Sequence, residues 1–357
     1  MTDAAIDDDE LALFAFKVWS IRQGQVVANM VHIGDRLGLY RTMWGAGPMT
    51  AADLAAATGL HERWLKEWLR GQAAADLVDS EDGETFEMSA LQAEVLANES
   101  ESLFFAAGAF GEPPDAAFMD KLVDAFRTGR GMPYDALGAG GADQTERMLG
   151  PFTRQMLVPV LIAGIDGLTD KLRSGVRVAD VGCGGGLAIS VLAAAFPEST
   201  IVGIDPSRHA IDRAERKVTE QGLTNVEVFC ADGTTVSDHG EFDVVLTFDC
   251  LHDMPRPDLV AEAISTALTS DGTWLVKEIR CSGDFATDRK NPVLAMMYAG
   301  SVMSCMSSAL SEPDGLGLGT LGLPPDRLRA MAEAVGFSGF ETHDIGDPAN
   351  LYYSITS

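Results

Sequence analysis

The sequence predicts an α/β protein in which a doubly wound, mostly parallel sheet with helices on both faces follows a mostly helical N-terminal region. From Val176 onward, short apolar strands alternate with helical segments, the pattern of βαβ units. The first hundred residues instead place apolar side chains at helical spacing. A length of 357 residues suits two domains. We expect an N-terminal domain over residues 1–100, a helical connector over 101–165, and the sheet domain over 166–357.

The composition is that of a folded, acidic protein. Asp and Glu number 53 against 26 Lys and Arg, which gives a net charge of −27, and 46% of the residues are hydrophobic. This charge repels nucleic acid and anionic membrane surfaces, so we expect neither as a partner. The five cysteines are widely separated, without a C-x-x-C pair or zinc-ligand spacing. We therefore expect reduced thiols, a cytoplasmic location and no metal site.

The N-terminus has the wrong charge for a secretory leader. Met1–Glu10 carries five acids and no base, and no run of 18 apolar residues follows it. We expect a soluble protein without a cleaved leader or a membrane span.

The N-terminal region is predicted to begin with helices. Leu11–Tyr40 is apolar at helical spacing, which predicts one or two packed helices whose apolar surface needs a partner. Thr50 and Asp53 have the spacing of a capping box. They open a predicted helix over Ala51–Thr58, which Gly59 ends.

The segments that follow are typical of a winged helix. A second helix is predicted over His61–Arg70, with charged side chains on one face and four apolar side chains on the other: Trp64, Leu65, Trp68 and Leu69. Leu77–Val78 and Thr85–Met88 flank an acidic turn over residues 81–84. This arrangement predicts a β-hairpin, the wing.

Residues 101–160 are predicted to be helical but interrupted. Gly111–Pro114 and Gly129–Gly141 break the pattern, and the second of these holds five glycines and one proline. Such interruptions suit hinges or covers between domains. The sheet domain then has predicted strands at Arg177–Val181, Thr200–Ile204, Val226–Cys230, Asp243–Phe248 and Thr273–Ile279, and predicted helices at Ala188–Phe196, His209–Gln221 and Asp258–Leu268.

A glycine-rich loop follows the first strand of the sheet domain. Val178–Gly186 ends a strand and opens a helix, where backbone comes close to a ligand at the carboxyl edge of a sheet. The next strand, Ile201–Asp205, ends in a carboxylate that suits the two hydroxyls of a ribose. Together these features predict a nucleoside ligand.

Two observations favour S-adenosylmethionine over a dinucleotide. The dinucleotide fingerprint needs Gly or Ala where this chain has Leu187. Asp180, two residues before the first glycine, would repel a pyrophosphate and attract a sulfonium and an ammonium. We therefore predict S-adenosylmethionine as the cofactor.

These landmarks resemble those of the class I S-adenosylmethionine-dependent methyltransferases, from roughly residue 170 to the C-terminus. Asp205 looks like the ribose acid of that family, and Asp232–Gly233 looks like the acid that meets the adenine amino group. Singly, Asp232–Gly233 is also typical of a turn, so the order of the landmarks carries the resemblance. The resemblance implies a Rossmann-like class I methyltransferase sheet and cofactor residues at Asp180, Gly182, Gly184, Gly186, Asp205, Pro206, Asp232, Gly233, Phe248 and Asp249.

His252 and Glu278 are the candidate catalytic residues. His252–Asp253 follows the fourth strand and resembles the pair that supplies the general base in small-molecule O-methyltransferases of plants and bacteria, which also carry an N-terminal winged-helix-like domain. Glu278 lies where that family has an acid that orients the histidine. A positioned imidazole contributes about 10²–10⁴ in rate when a hydroxyl must lose its proton. The alternatives are a packing histidine and a solvated glutamate.

The methyl acceptor is predicted to be a small hydrophobic molecule, methylated at a hydroxyl. Gly315–Leu323 contains no carboxylate, although plant members of the family have a further catalytic acid there, so nitrogen and carbon acceptors stay open. Pro292–Leu310 repeats methionine at helical spacing, which favours a core helix over a wall of the acceptor site. Core packing is also favoured for four phenylalanines: Phe104, Phe105, Phe110 and Phe118. If both sets are walls, the acceptor is hydrophobic and aromatic.

The N-terminal domain has two competing functions. Residues 1–100 hold 7 Lys or Arg against 17 Asp or Glu, which disfavours phosphate contacts. The resemblance implies that this domain pairs subunits into a homodimer and helps to cover the active site. The alternative is a winged-helix DNA-binding transcriptional regulator whose second domain senses a nucleoside. We predict the enzyme.

Overall fold

The computed structural model describes residues 6–357, which form two compact units divided between Pro113 and Pro114. Residues 1–5, half of the acidic segment at the N-terminus, lie outside the described residues. Within the described part of the chain, no helix is both long and apolar enough to cross a membrane. The division between the units falls inside the segment 101–165 that the sequence predicts as a connector.

The first unit is helical with one small sheet. Its elements are α1 (Asp8–Arg36), α2 (Leu39–Met43), β1 (Met49–Thr50), α3 (Ala51–Thr58), α4 (Glu62–Ala74), β2 (Thr85–Phe86) and α5 (Ala90–Leu96). The capping box is confirmed, since the Thr50 hydroxyl accepts from the Asp53 N–H and the Asp53 carboxylate accepts from the Thr50 N–H. Gly59 ends α3 in the left-handed conformation, as predicted.

Helix α1 leaves much of its apolar surface uncovered. Phe16 and Trp19 are each 71% exposed, whereas Val31 near the C-terminal end is buried. The helices predicted over Leu11–Tyr40 are therefore confirmed. Only the C-terminal end of α1 packs its apolar side chains against the rest of the first unit.

Two details predicted for the helix-turn-helix and wing are wrong. Leu65, Trp68 and Leu69 of α4 are buried as predicted, but Trp64 is 79% exposed, because its position points away from the core of the first unit. β2 pairs with β1 rather than with Leu77–Val78, and the predicted hairpin is reduced to a single bridge between Asp79 and Glu87. The Val78 side chain is drawn into the core instead.

The second unit contains the large sheet. Its helices are α6 (Ala116–Thr128), α7 (Gly138–Gln155), α8 (Leu168–Arg173), α9 (Leu187–Ala195), α10 (Arg208–Glu220), α11 (Pro257–Ala267), α12 (Phe285–Asp288), α13 (Leu294–Met303), α14 (Cys305–Ala309) and α15 (Pro325–Ala334). Its strands are β3 (Arg177–Val181), β4 (Thr200–Asp205), β5 (Val226–Cys230), β6 (Phe242–Phe248), β7 (Leu268–Ile279), β8 (Gly339–His343) and β9 (Asn350–Thr356).

The sheet has the order β5-β4-β3-β6-β7-β9-β8 and is mostly parallel, as predicted. Strands β3 to β7 run parallel to their neighbours, and β9 pairs antiparallel with both β7 and β8. The strand order reverses beside β3, between β4 and β6. In open α/β sheets, ligands bind beyond the carboxyl ends of the strands at such a reversal.

Both faces of this sheet are buried, which explains its continuous apolar strands. Along β3, Val178 packs into one apolar cluster and Ala179 into the other. Val244 and Val245 of β6 divide in the same way. Because successive side chains of a strand point to opposite faces, helices must cover both sides.

The helical structure predicted over Pro292–Leu310 is confirmed, but the prediction of a single, buried core helix is wrong. The segment divides into α13 and α14 at Ser304, whose backbone is not helical. The Ser304 hydroxyl donates to the Gly300 carbonyl at 3.1 Å, a local bond that competes with helix continuation. Met296 is exposed, and Met303 and Met306 are only half-buried. Of the four phenylalanines, Phe105 lies in the core of the first unit as predicted, whereas Phe104 is exposed.

Candidate active site

A cavity of about 430 Å³ lies beyond the carboxyl ends of β3, β4 and β6. This volume is in the range of small-molecule sites. Nine of the ten residues predicted to bind the cofactor line it: Asp180, Gly182, Gly184, Asp205, Pro206, Asp232, Gly233, Phe248 and Asp249. Gly186 is not among the lining residues of this cavity.

Gly182, Gly184 and Gly186 are three of the four glycines of the loop, and these three serve different purposes. All have positive φ angles, which favour glycine. A Cβ on Gly182 would lie 2.7 Å from the Cys250 sulfur, and a Cβ on Gly186 would lie 2.7 Å from the Ala214 Cβ. A Cβ on Gly184 would instead meet no atom within 4 Å, and Gly184 lines the cavity. Gly182 and Gly186 therefore allow close packing, whereas Gly184 leaves space for a ligand.

Asp205 ties the glycine loop to the end of β4. Its carboxylate accepts from the Gly184 N–H at 2.9 Å and from the Ser207 N–H at 2.8 Å. Burial raises the pKa of Asp205, and these two hydrogen bonds oppose the rise. Each carboxylate oxygen keeps a lone pair that can face the cavity, which suits the hydroxyls of a ribose.

Asp180 is a buried carboxylate without a partner. Its side chain lines the cavity, and among residues 6–357 it makes no hydrogen bond and no ion pair. Burial, with the nearby negative charge of Asp205, raises the pKa of Asp180 to about 7. A carboxylate in this position is stabilised by a cationic ligand, and the ammonium group of an amino acid fits that requirement.

The other two predicted acids are already engaged. Asp232 is exposed at the end of β5, where its Oδ1 accepts from the Thr234 N–H at 2.9 Å. Asp249 forms a buried ion pair with Lys277 at 2.5 Å and also accepts from Asn350. Lys277 therefore balances the charge of Asp249, and both residues line the cavity.

Several lining residues were not predicted from the sequence. Tyr134 and Glu146 reach the cavity from the segment before β3, and Lys277 reaches it from β7. Glu146 pairs with Lys217 of α10 at 2.6 Å and with Arg213 at 3.0 Å, which holds α7 against the glycine loop. No sequence motif marks these three residues as part of a binding site. For Glu146, the helical pattern of the surrounding sequence is the one available signal, and it predicts a helix rather than a site.

The structure brings His252 and Glu278 together. The His252 Nδ1 lies 2.6 Å from the Glu278 Oε2, and the second carboxylate oxygen accepts from the Leu251 N–H at 3.1 Å. His252 is 3% exposed and Glu278 is 1% exposed. Burial alone would lower the pKa of His252. The charges of Glu278 and Asp253 and the hydrogen bonds to Glu278 and Cys305 together outweigh burial and raise this pKa well above 6.5. Glu278 is therefore not a solvated charge; it holds the imidazole in one orientation.

Two further ionisable groups surround His252. Asp253 lines the cavity beside it, and burial raises the pKa of this carboxyl well above its usual range. The Cys305 thiol of α14 hydrogen-bonds to His252. Burial would raise the pKa of Cys305, and the contact with His252 reverses that and lowers it. His252 itself is not among the lining residues, but its ring lies close to Asp253, which is.

The residues present fit S-adenosylmethionine. Asp205 suits the ribose, Asp180 the ammonium group, and the open position at Gly184 the close approach of the ligand. The cavity volume is sufficient for a ligand of this class.

The chain matches two families of protein domains. Residues 172–325 match a methyltransferase domain, and residues 25–98 match an Rv2258c-like winged HTH domain. Ubiquinone biosynthesis O-methyltransferase of Ralstonia nicotianae is 35% identical over 162 residues, which are 44% of this chain and 67% of that protein. The enzyme of the same name from Paraburkholderia phymatum is 29% identical over 181 residues, 50% of this chain and 71% of the relative.

Solved structures share the fold along nearly the whole chain. Human N-acetylserotonin methyltransferase in complex with SAM has a TM-score of 0.67 and 17% identity, with 100% of both chains covered. A putative O-methyltransferase from Nostoc punctiforme has a TM-score of 0.70 and 18% identity over 97% of this chain and 98% of its own. Mitomycin 7-O-methyltransferase has a TM-score of 0.65 and 21% identity, with 98% of this chain and 99% of its own chain covered. The chain belongs to the S-adenosylmethionine-dependent methyltransferases, with a winged helix-turn-helix region ahead of its methyltransferase domain.

Proposed function

We propose that this methyltransferase acts on a hydroxyl oxygen of a small hydrophobic acceptor, with His252 as the general base and Glu278 as the residue that positions it. The buried His252–Glu278 pair at 2.6 Å, beside the cofactor cavity, is the observation that supports this proposal. Bound S-adenosylmethionine supplies an electrophilic methyl group on a sulfonium. The acceptor oxygen would take this methyl group as the carbon–sulfur bond breaks and S-adenosylhomocysteine leaves, while the hydroxyl proton would pass to the His252 Nε2.

The remaining residues of the site bind and orient. Asp205 is suited to hold the ribose and Asp180 the ammonium group. Glu278 accepts from the His252 Nδ1–H, so the lone pair of the neutral imidazole is on Nε2. Burial of the pair excludes water, which strengthens the Glu278 contact and supports alignment of the two reactants.

The proposed function is tested by presenting purified protein and radiolabelled S-adenosylmethionine with matched phenols, anilines and aliphatic alcohols. We expect labelled methyl ethers from phenolic acceptors with apolar substituents. The names of the relatives include both O-methyltransferases and a coclaurine N-methyltransferase. Methylation of the anilines alone would contradict the proposed oxygen acceptor and show that the enzyme methylates nitrogen.

Cofactor affinity is expected to depend on pH through Asp180. The pKa of this carboxyl is about 7 without a ligand. A bound ammonium favours the ionised form, so binding below pH 7 must release a proton, and affinity should fall as the pH is lowered from 8 to 6. Calorimetry in buffers of different ionisation enthalpy measures the released proton. Asp180→Asn should bind more weakly and lose this dependence; an unchanged dependence would assign the proton to another group.

We propose that the first unit holds a homodimer together and that residues 101–165 connect it to the methyltransferase domain, residues 166–357. The support is the set of large apolar side chains that α1 leaves exposed, Phe16 and Trp19 among them, which a second copy of the same helix could cover. A cytoplasmic location is proposed as well, since all five cysteines are free thiols.

The dimer proposal predicts a monomer when the face of α1 is charged. Phe16→Asp together with Trp19→Asp should convert a dimer to a monomer in analytical ultracentrifugation, because carboxylates at both positions cannot be buried unpaired. Lys17→Asp, on an exposed position between them, is the control and should leave the dimer intact. A dimer that survives the double substitution would place the interface elsewhere.

A DNA-binding regulator is disfavoured by the pairing of basic residues on α4. Arg63 pairs with Glu67 at 2.6 Å, and both Lys66 and Arg70 pair with Glu84 of the wing. Phosphates would have to compete with these carboxylates. We expect no sequence-specific duplex complex at about 10⁻⁸ M or tighter at physiological salt. Binding of that strength in a mobility-shift selection would support the regulator instead.

A further inference from the structure

Three metal-binding side chains converge beside the cofactor cavity. The ligand atoms of His252, Asp253 and Cys305 all lie within 4.8 Å of one another. Two of these residues follow β6, and the third begins α14, more than fifty positions later in the sequence. We call this group the His252–Asp253–Cys305 cluster. The sequence showed no zinc-ligand spacing because the fold, not the local sequence, assembles it.

Each member of the cluster has a donor atom to offer. The His252 Nδ1 is bonded to Glu278, which leaves Nε2 for the cluster. The Asp253 carboxylate makes no hydrogen bond or ion pair with other residues of the described chain, and it lines the cavity. The Cys305 thiol forms no disulfide, and its hydrogen bond to His252 places its sulfur close to the imidazole.

The charges around the cluster favour a cation. Asp249 pairs with Lys277 and Glu278 pairs with His252, whereas Asp253 forms no ion pair with any residue of the range 6–357. Buried carboxylates without a counter-charge are costly. A divalent cation that also ionises the Cys305 thiol makes the three-residue cluster neutral, with two positive charges on the metal, one negative on the thiolate and one on Asp253. Glu278 then keeps its hydrogen bond from the neutral His252.

We propose that the His252–Asp253–Cys305 cluster is a zinc site. Zn²⁺ would take the His252 Nε2, one Asp253 oxygen and the Cys305 sulfur, with the thiol proton released to solvent. Imidazole, thiolate and carboxylate together suit zinc and disfavour Mg²⁺ and Ca²⁺, which prefer oxygen ligands alone. In zinc sites, the ring nitrogen of a histidine that does not bind the metal usually donates to a carboxylate, and Glu278 accepts such a hydrogen bond from the His252 Nδ1. Asp253 borders the cavity, so the fourth position of a tetrahedral ion would open toward it.

Occupation of this site has a consequence for methyl transfer. Zinc on Nε2 removes the lone pair that accepts the proton, so zinc is an inhibitor that acts on the base. This consequence rests on the proposed function of His252, whereas zinc binding itself does not. The two can therefore fail separately.

The test uses full-length protein stripped of metal and titrated with Co²⁺ as a spectroscopic probe for zinc. We expect one equivalent to bind, with a thiolate-to-cobalt band in the near ultraviolet and strong visible bands typical of tetrahedral coordination. Zn²⁺ should displace the cobalt, and Mg²⁺ should not. Cys305→Ser should abolish the near-ultraviolet band, whereas Cys230→Ser, which changes an exposed thiol outside the cluster, should keep it.

Affinity measurements complete the test. Glu278→Gln should weaken zinc binding by about 10–100-fold in competition with a chromophoric chelator, as loss of an outer contact does in known sites. A cobalt band that persists in Cys305→Ser, or the absence of tight binding to the wild-type protein, would overturn the zinc site whatever the activity shows. If zinc binds as expected and methyl transfer continues undiminished, the role of His252 as base is overturned instead.

Discussion

His252→Ala is expected to lower the rate of methyl transfer to a hydroxyl acceptor by about 10²-fold or more, with nearly unchanged affinity for S-adenosylmethionine. The rate should fall because the imidazole takes part only in removal of the acceptor proton. The cofactor affinity should be unchanged because His252 is not among the residues that line the cofactor cavity. Single-turnover measurements separate the chemical step from binding, and calorimetry gives the affinity. A rate within a few-fold of wild type would make His252 a packing residue.

The pH dependence of this rate follows from the charge of Glu278. Only the neutral imidazole can accept a proton, and Glu278 raises the pKa of His252 well above 6.5. The rate should therefore be low at neutral pH and rise as the pH passes the raised pKa. Glu278→Gln removes the negative charge, so the profile should move to lower pH while the limiting rate falls. Glu341→Gln, an exposed glutamate on β8, is the control and should leave the profile unchanged.

Gly184→Val is expected to abolish cofactor binding while the fold survives. A Cβ at this position meets no protein atom within 4 Å, so the branched side chain enters the cavity and excludes the ligand. The positive φ of 53° adds a backbone cost of about 1–2 kcal/mol.

The matched control for this substitution is Gly222→Val. Gly222 has a φ of 64° and equally open surroundings, but it does not line the cavity. Both variants should lose similar stability in thermal unfolding, and only Gly184→Val should lose the calorimetric signal of S-adenosylmethionine. Equal binding by the two variants would remove the glycine loop from the cofactor site.

The sheet domain could be predicted closely because its signals are local and repeated. β3 and β5 begin and end where the sequence predicts, and Asp205 ends β4 at the predicted edge. The His252–Glu278 pair was also within reach of the sequence. Pairing of β6 with β7 sets Phe248 opposite Lys277, so residues that follow the two strands meet at one edge.

The parts that were not predicted depend on contacts distant in the sequence. Cys305 reaches His252 only because α13 breaks at Ser304 and α14 begins beside the end of β6. Glu146 reaches the cavity because Lys217 and Arg213 draw it over the glycine loop. The wing was mispredicted because β2 pairs with β1. These two strands are not joined by a short turn, so no turn motif in the sequence indicates the pairing.

The most direct test of a buried base is methyl transfer to a series of phenols with graded acidity, measured in single turnovers with wild type and His252→Ala. A base is needed only when the acceptor is still protonated. If His252 is the base, the loss of rate in His252→Ala is large for weakly acidic phenols and shrinks toward none for phenols that are already ionised at the assay pH. A loss that is the same across the series, or absent throughout, would contradict that role.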